Sequence, residues 1–257
     1  MVSLVVLVLA APLQLEELAP GVEYGTTPWI EKASIGDGLL HVVRVDPKKV
    51  ELRVGLASRE GVKNRTAGEW ADGLGLMVAI NAGMFETDYR SNVGYLRSDT
   101  HLNNARWNKY QSALAFGPGS ASMVDLDAPD AKKRLEPVPT VIQNLRLIRA
   151  GGINVWKPAA RKWSEAAVAA DEQGRILFLF CRSPLSMKEF GDKLLALPLR
   201  ITHAMHVEGG PEASLSIRAG ARRIDLSGSY ETGFNENDGN AAQWPLPNVI
   251  GVLQREP

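Results

Sequence analysis

Short strand-like runs joined by tight turns dominate this sequence, and they constrain the fold more than any other feature. Four pairs of such runs are predicted to form β-hairpins, over residues 39–57, 145–156, 164–183 and 214–228. In each pair, apolar residues run up to a turn that contains Gly, Asp or Pro. The pattern predicts an α+β fold with a mixed, mostly antiparallel β core built from hairpins and a few flanking helices.

Two segments carry clear helix signals. Thr66 precedes "AGEWADGL", with Glu69 at the capping-box position, and Ser186 precedes "MKEFGDKLLAL", which Pro198 ends. Residues 127–139 are polar and are expected to form a surface loop with at most one helical turn. No linker divides the chain, so we expect a single domain over residues 21–257.

The first twenty residues are expected to form a separate apolar segment. Residues 2–11 are almost wholly apolar, which suits the hydrophobic part of a secretion signal and is too short to span a bilayer. Val8 and Ala10 fit the small-residue positions of a cleavage site. We expect a secreted or periplasmic protein whose mature domain does not insert stably into a membrane. The alternative is an apolar N-terminal strand in a cytoplasmic protein.

The charge balance argues against general nucleic-acid binding, and the single cysteine rules out an intramolecular disulfide. Lys plus Arg and Asp plus Glu are equal at 29 each, and a chain with no net charge lacks the basic field that general nucleic-acid binding needs. The single cysteine, Cys181, lies in the apolar run "RILFLFCRS" and is expected to be a buried core thiol.

Motifs for zinc chemistry and for a serine triad are incomplete. His206-Val207-Glu208 matches half of a zinc deaminase signature, but the paired cysteines that would complete it are missing. The histidines of "HAMHVEGG" are three apart, whereas a metalloprotease helix needs a spacing of four. No Gly-x-Ser-x-Gly elbow is present. We expect neither a metal nor a cofactor; the alternative is a hard cation bound through the carboxylate oxygens of residues 86, 88, 208 and 212.

The stretch "HVEGGPEASL" at residues 206–215 is the strongest candidate for chemistry. Strand alternation predicts that His206 and Glu208 point to one face. Gly209-Gly210 then removes side chains directly after the acid and can present backbone N–H groups to an anion. The alternative is a tight hairpin turn with both glutamates of the stretch in water.

Two further strand ends carry polar side chains. The predicted strand at residues 76–80 stops at Asn81, which can donate and accept hydrogen bonds, and Gly83 allows the backbone to lie against a ligand. The run "FLFCRSPLSM" delivers Arg182 and Ser183 just before a capped helix, an arrangement that suits a phosphate or carboxylate. An ordinary polar loop and a surface arginine are the respective alternatives.

The order of these pieces resembles the phosphodiester glycosidase family. "NAGMF" (81–85) is similar to the family's Asn-Gly-Gly-Phe-Phe stretch, and "EGGPEAS" (208–214) to its Asp-Gly-Gly-Gly-Ser stretch. "PLPNVIGVLQ" (245–254) is similar to its closing Pro-Asn followed by an aliphatic-Gly-Val strand. The resemblance covers about residues 37–254.

This chain departs from the family pattern at several positions. Glu208 replaces the family's aspartate, and Pro211-Glu212 interrupts the glycine run. Many members have an Arg-Thr pair where this chain reads "KWSEAAVA". If that arginine holds phosphate in the family, Arg182 or Arg146 is its expected substitute. The chain therefore looks like a divergent branch.

The resemblance implies hydrolysis of a glycosyl-phosphodiester, with cleavage at the anomeric carbon. The reaction passes through an oxocarbenium-like state that a carboxylate stabilises, and the leaving phosphate monoester departs more readily than an alkoxide. The predicted catalytic residues are Glu208, His206, Asn81 and Glu212, and the predicted substrate-binding residues are Gly83, Arg182, Ser183, Gly209, Gly210, Ser214 and Arg146.

The implied partner is a small or polymeric sugar–phosphate. Two other classes of function stay open from the sequence. The altered motifs also fit a catalytically silent relative that binds a glycan or an anionic polymer in the cell envelope. A structural envelope protein without a small-molecule site is the third possibility.

Overall fold

The computed structural model describes residues 13–255 and consists mainly of β-strands. The strands are β1 (Glu16–Ala19), β2 (Val22–Pro28), β3 (Leu39–Val45), β4 (Val50–Leu56), β5 (Val78–Asn81), β6 (Leu96–Ser98), β7 (His101–Asn104), β8 (Ser112–Gly117), β9 (Ser120–Asp125), β10 (Thr140–Arg149), β11 (Ile153–Asn154), β12 (Trp163–Asp171), β13 (Ile176–Leu185), β14 (Ile201–Gly209), β15 (Ser214–Ala219), β16 (Arg222–Ser227) and β17 (Asn248–Gln254). The helices are α1 (Ala57–Glu60), α2 (Ala67–Leu74), α3 (Ala131–Leu135) and α4 (Met187–Ala196), with a 3₁₀ turn at Gly210–Glu212.

The strands form two sheets, and every pairing within residues 13–255 is antiparallel. The larger sheet runs in the order β1-β2-β3-β13-β12-β14-β10-β6-β7, with β8, β9 and β11 attached through β10. The smaller sheet runs β16-β15-β5-β17-β4. The expected mostly antiparallel core is confirmed. At 47% strand and 12% helix, the molecule is more β-rich than a balanced α+β fold.

Three of the four predicted hairpins are confirmed, and the first is wrong. β10 pairs with β11, β12 with β13, and β15 with β16. β3 instead pairs with β2 and β13 in the larger sheet, whereas β4 pairs with β17 in the smaller one. The turn at residues 46–49 therefore carries the chain from one sheet to the other. Turn chemistry alone does not distinguish this corner from a hairpin.

The central strands are buried on both faces. On β12, Ala166 and Val168 join the large core that also contains side chains of the smaller sheet, whereas Ala167 and Ala169 join a second core that includes Phe190 of α4. Burial on both faces explains the near-continuous apolar runs of β12 and β13. Cys181 of β13 lies in the second core, and burial raises the pKa of its thiol, so the expected core role is confirmed.

Both predicted helix starts are confirmed by their caps. Thr66 and Ser186 each accept a hydrogen bond from the backbone three residues on, and Glu69 and Glu189 complete the two capping boxes. Residues 127–139 contain the short helix α3. Within the described residues, no helix is both long and apolar enough to cross a membrane. The apolar run at residues 2–11 lies outside them.

Candidate active site

A β-bulge at the end of β14 sets the direction of its functional side chains. Ala167 of β12 pairs with His206, but the next residue, Ala166, pairs with Glu208, so Val207 is the extra residue. Directly paired residues share a face, and Ala166 and Ala167 face different cores. His206 and Glu208 therefore lie on opposite faces. The expectation that they share one face is wrong, because the bulge shifts the alternation by one residue.

Glu208 is a buried carboxyl group at the end of this strand. Its residue is 9% exposed, and its Oε1 accepts a hydrogen bond of 3.1 Å from the backbone N–H of Gly209. Burial raises the pKa of Glu208 well above its ordinary value, and the nearby carboxylates of Glu212, Glu231 and Glu165 raise it further. The neutral, protonated form is thereby stabilised near neutral pH.

The two glycines after Glu208 are required by close packing. A Cβ atom on Gly209 would lie 2.7 Å from Cδ1 of Trp163, so a side chain there would collide with the indole. Gly210 has φ +65°, and a Cβ atom there would lie 2.8 Å from Oε2 of Glu231 and 3.7 Å from Oε2 of Glu212. The glycine pair therefore lets the chain turn between an aromatic ring and two carboxyl groups.

Glu212 and Glu231 complete a group of acids around the Gly210 turn. Glu212 is partly exposed, and burial together with the charge of Glu231 raises the pKa of Glu212. Glu231 lies on a loop whose backbone bridges Trp163 at the start of β12. The name acid cluster is used below for Glu208, Glu212 and Glu231.

On the opposite face, His206 and Glu165 form a buried pair. His206 Nδ1 lies 2.5 Å from Glu165 Oε1, and the indole N–H of Trp163 donates to Oε2 of the same carboxyl at 2.7 Å. The side chains of His206 and Glu165 are 5% and 1% exposed. The pair fixes the orientation of Trp163, whose ring lies against Gly209. His206 can therefore act on the acid cluster through the position of this ring.

Asn81 holds the turn after the acid cluster in place. Its Nδ2 donates to the carbonyl of Glu212 at 3.0 Å, and its Oδ1 accepts from the backbone N–H of Ser214 at 2.7 Å. The Ser214 hydroxyl donates to the same Glu212 carbonyl. The structure thus brings the predicted residues Asn81, Glu212 and Ser214 together. The nitrogen and the oxygen of the Asn81 side-chain amide both form hydrogen bonds with the protein.

Gly83 lies at a crowded position beside this turn. A Cβ atom there would lie 2.4 Å from the Oδ1 atoms of both Asn92 and Asn144. Asn144 Nδ2 donates to the carbonyl of Ala82, the residue before Gly83. Asn92 Oδ1 is buried and has no hydrogen-bond partner. Two amide oxygens therefore take the space that a side chain at position 83 would fill.

Arg182 connects β13 to the loop that carries Glu231. Its Nη1 donates to the Ser227 carbonyl at 2.6 Å, its Nη2 to the Asn240 carbonyl at 2.8 Å, and its Nε to Asp238 at 2.8 Å. The neighbouring Ser183 hydroxyl accepts from the backbone N–H of Gly38. These contacts give both residues a role in holding loops.

Arg146 lies on β10 at a different part of the larger sheet. Its Nη1 forms ion pairs with Asp125 at 3.3 Å and Asp127 at 2.7 Å. It pairs across the strands with Met205, which faces the large core, three residues before Glu208. Asp125 also lies 3.2 Å from His203. Arg146 therefore belongs to an ion-pair group separate from the acid cluster.

Sequence reasoning missed Glu231 and gave Glu165 no role. Glu165 follows a predicted strand start, but only tertiary pairing places it against His206. Glu231 lies in the polar run "YETGFNENDG", where nothing in the sequence distinguishes one acid from another. Within residues 13–255, no group of three or more His, Cys, Asp and Glu side chains is arranged to hold a metal ion.

The arrangement suits proton transfer by carboxyl groups of unequal acidity. Glu208 is the most strongly perturbed member of the acid cluster, and Glu212 is less buried. Paired carboxyl groups whose environments separate their pKa values can serve as acid and base in one reaction. In this site the protonated form is therefore favoured more strongly for Glu208 than for Glu212.

The sequence matches a known protein family, and the fold is similar to that of solved structures. A family model described as phosphodiester glycosidase matches residues 75–253. No curated protein matches the chain significantly in sequence.

Three solved structures share the fold at low sequence identity. A protein of Synechocystis aligns with a TM-score of 0.69 at 14% identity, over 96% of this chain and 64% of that one, so the chain spans less than two thirds of its length. The zebrafish N-acetylglucosamine-1-phosphodiester alpha-N-acetylglucosaminidase catalytic domain, auto-inhibited by its pro-peptide, aligns with a TM-score of 0.67 at 13% identity, over 96% and 88%. A protein of Burkholderia pseudomallei K96243, named as exported, aligns with a TM-score of 0.55 at 10% identity, over 95% and 96%.

Proposed function

The chain belongs to the phosphodiester glycosidase family, and from that premise we propose that it hydrolyses a glycosyl-phosphodiester bond with Glu208 as the general acid. The observation that carries the proposal is the burial of Glu208 near the carboxylates of Glu212 and Glu231, which raises the pKa of Glu208 and favours its protonated form. A protonated carboxyl can transfer its proton to a departing oxygen. The zebrafish structure supports the same reaction class through its fold.

In the proposed reaction, water attacks the anomeric carbon of the sugar. The new bond joins the water oxygen to that carbon, and the bond from the carbon to the phosphate oxygen breaks. Glu208 gives its proton to the leaving phosphate, and Glu212 takes a proton from the water. The carboxylate of Glu231 faces the positive charge that develops on the sugar ring. The products are a free sugar and a phosphate monoester.

The charge of the site has consequences for an anionic substrate. Arg182 and Arg146 are engaged by carbonyls and carboxylates of the protein, so the proposal gives Arg182 a positioning role for the Glu231 loop. A protonated Glu208 reduces the repulsion that a phosphodiester anion meets at the acid cluster. The product monoester carries more negative charge, and we expect it to be repelled and released.

We also propose that the protein acts outside the cytoplasm. The apolar run at residues 2–11 suits a secretion signal, and one similar structure is named as an exported protein. The test is fractionation of cells that express the full chain, with N-terminal sequencing of the mature protein. Cleavage after Ala10 and recovery in the periplasm or the medium are expected; an uncleaved cytoplasmic product would contradict the proposal.

The activity is tested with a panel of glycosyl-phosphodiesters that vary in the sugar and in the alcohol, with release of reducing sugar as the readout. Glu208→Gln should lower the turnover number by a factor of about 10²–10⁴, the usual contribution of general acid catalysis. Leu253→Met on β17 serves as a control for changes outside the site. Equal turnover by Glu208→Gln and wild type would contradict the proposed acid.

A catalytically silent glycan-binding relative is the second candidate. The observation that favours it is that both arginines expected to hold phosphate are engaged by the protein itself. If wild-type protein binds members of the panel, measured by calorimetry, but releases no sugar from any of them, this second candidate replaces the hydrolase.

A further inference from the structure

Three aromatic side chains of the described residues are exposed on loops, and two of them follow the loop that carries Glu231. Tyr89, Phe234 and Trp244 are 65%, 60% and 38% exposed, and they are the exposed aromatic residues within the described part of the chain. All three lie on loops rather than on the strands of either sheet. Exposed aromatic side chains that contact each other next to a candidate site form a candidate contact surface for a ligand.

Phe234 and Trp244 form a pair that is tied to the acid cluster. Their rings are 6.3 Å apart and nearly perpendicular, at 81°. The backbone N–H of Phe234 donates to the carbonyl of Glu231. The indole N–H of Trp244 donates to Asn240, whose own amide donates to the carbonyls of Pro211 and Gly228. The pair is therefore fixed to the loops that carry Glu231 and Glu212.

Tyr89 is linked to the Trp244 loop through Asn64 and Arg65. Its carbonyl accepts a hydrogen bond of 2.9 Å from Asn64. The next residue, Arg65, forms a backbone bridge with Leu246, two residues after Trp244. One short segment of chain therefore connects the Tyr89 loop to the Trp244 loop.

We propose that Phe234, Trp244 and Tyr89 form a stacking platform for the pyranose rings of a glycan chain that extends from the acid cluster. This inference rests on the proposed function, because it assigns the substrate to the class of extended glycans. Aromatic rings pack well against the apolar C–H face of a sugar. The amide groups of Asn235 and Asn240 are engaged by the protein and hold the loop that carries the aromatic pair.

The platform is tested by binding rather than by turnover, with the full-length mature protein. The probes are soluble hydroxyethyl cellulose, glycol chitin and starch in affinity gel electrophoresis, followed by calorimetry with the matching tetrasaccharide. Trp244→Ala and Phe234→Ala should each weaken binding of the retarding glycan by at least about tenfold. Trp244→Phe should restore most of the affinity.

Ile153→Ala is the matched control. Ile153 is 45% exposed on β11, which pairs with β10 near Thr202, at the other end of β14 from Glu208. This variant should bind within about twofold of wild type. Thermal unfolding and near-ultraviolet circular dichroism establish that each variant is folded.

Several outcomes would overturn the platform. They are the absence of retardation by every glycan of the panel, an equal loss of affinity in Ile153→Ala and Trp244→Ala, and a dimer in analytical ultracentrifugation that Trp244→Ala dissociates. Binding that persists in Glu208→Gln supports the platform. Binding by wild-type protein without turnover on any phosphodiester contradicts the hydrolase and leaves the platform standing.

Discussion

Relative to wild type, the Glu208→Gln variant should gain stability as the pH rises. Burial raises the pKa of Glu208 well above its ordinary value of 4.5, so the folded state keeps a proton that the unfolded chain releases. The contribution of Glu208 to the stability of the wild-type protein is then largest below pH 4.5 and falls as the pH rises towards its folded-state pKa. The slope is about 1.36 kcal/mol per pH unit for one proton. Glutamine is close in size and carries no such proton.

Urea unfolding at half-unit steps from pH 4.5 to 7.5 measures this difference. Because Glu212 and other groups titrate in both proteins, the quantity to compare is the wild-type free energy of unfolding minus that of the variant. We expect this difference to fall by up to about 1.4 kcal/mol per pH unit until the folded-state pKa is passed. The melting temperature of a chain of this size should change by about 2–4 °C per kcal/mol. Parallel curves over the whole range would refute the buried, protonated carboxyl.

Three further substitutions test the surroundings of the acid cluster. Gly210→Ala should destabilise the protein by about 1–3 kcal/mol in urea unfolding, because the left-handed backbone and the nearby Glu231 carboxyl both oppose a Cβ atom; an unchanged midpoint would contradict the packing. Arg182→Ala should leave several carbonyls of residues 227–240 without donors and speed proteolysis there, with mass spectrometry of the fragments as the readout. Glu165→Ala should cost about 1–3 kcal/mol for each donor left unpaired and change the near-ultraviolet signal of Trp163; an unaltered spectrum would show that the indole is held by other contacts.

The local parts of the fold could be predicted from the sequence because short-range chemistry determines them. Capping residues satisfy backbone N–H groups within one turn, which is why Thr66 and Ser186 mark the starts of α2 and α4. The β12–β13 hairpin is likewise fixed by the Asp171–Gly174 turn between two apolar runs. The partition of β3 and β4 between two sheets depends on β2, β13 and β17, which are distant in sequence, and no local pattern reports it.

Several residues of the candidate site could be predicted from the sequence, but their relative positions could not. Asn81, Glu212 and Ser214 meet as the motif order suggests, because strand ends of the smaller sheet and the Gly210 turn adjoin. The separation of His206 from Glu208 depends on one extra residue opposite Ala166, and a bulge of this kind leaves no signature in strand alternation. The engagement of Arg182 depends on a loop more than forty residues away, so its availability for phosphate could not be judged from sequence.

The burial of the Glu208 carboxyl near two other acids argues that this site serves a function. A core built for stability alone gains nothing from a carboxyl whose ionised form is disfavoured by burial and by two acidic neighbours. Gly209 and Gly210 add backbone freedom that costs stability in the folded state, and they are needed because Trp163 and Glu231 crowd the turn and because Gly210 has a left-handed backbone. Departures from the usual preferences of sequence and packing are often found where a protein binds a ligand or catalyses a reaction. If Glu208→Gln raises stability and also abolishes turnover, the same carboxyl accounts for both effects; a gain in stability with unchanged turnover would assign the burial to the fold and place the chemistry elsewhere.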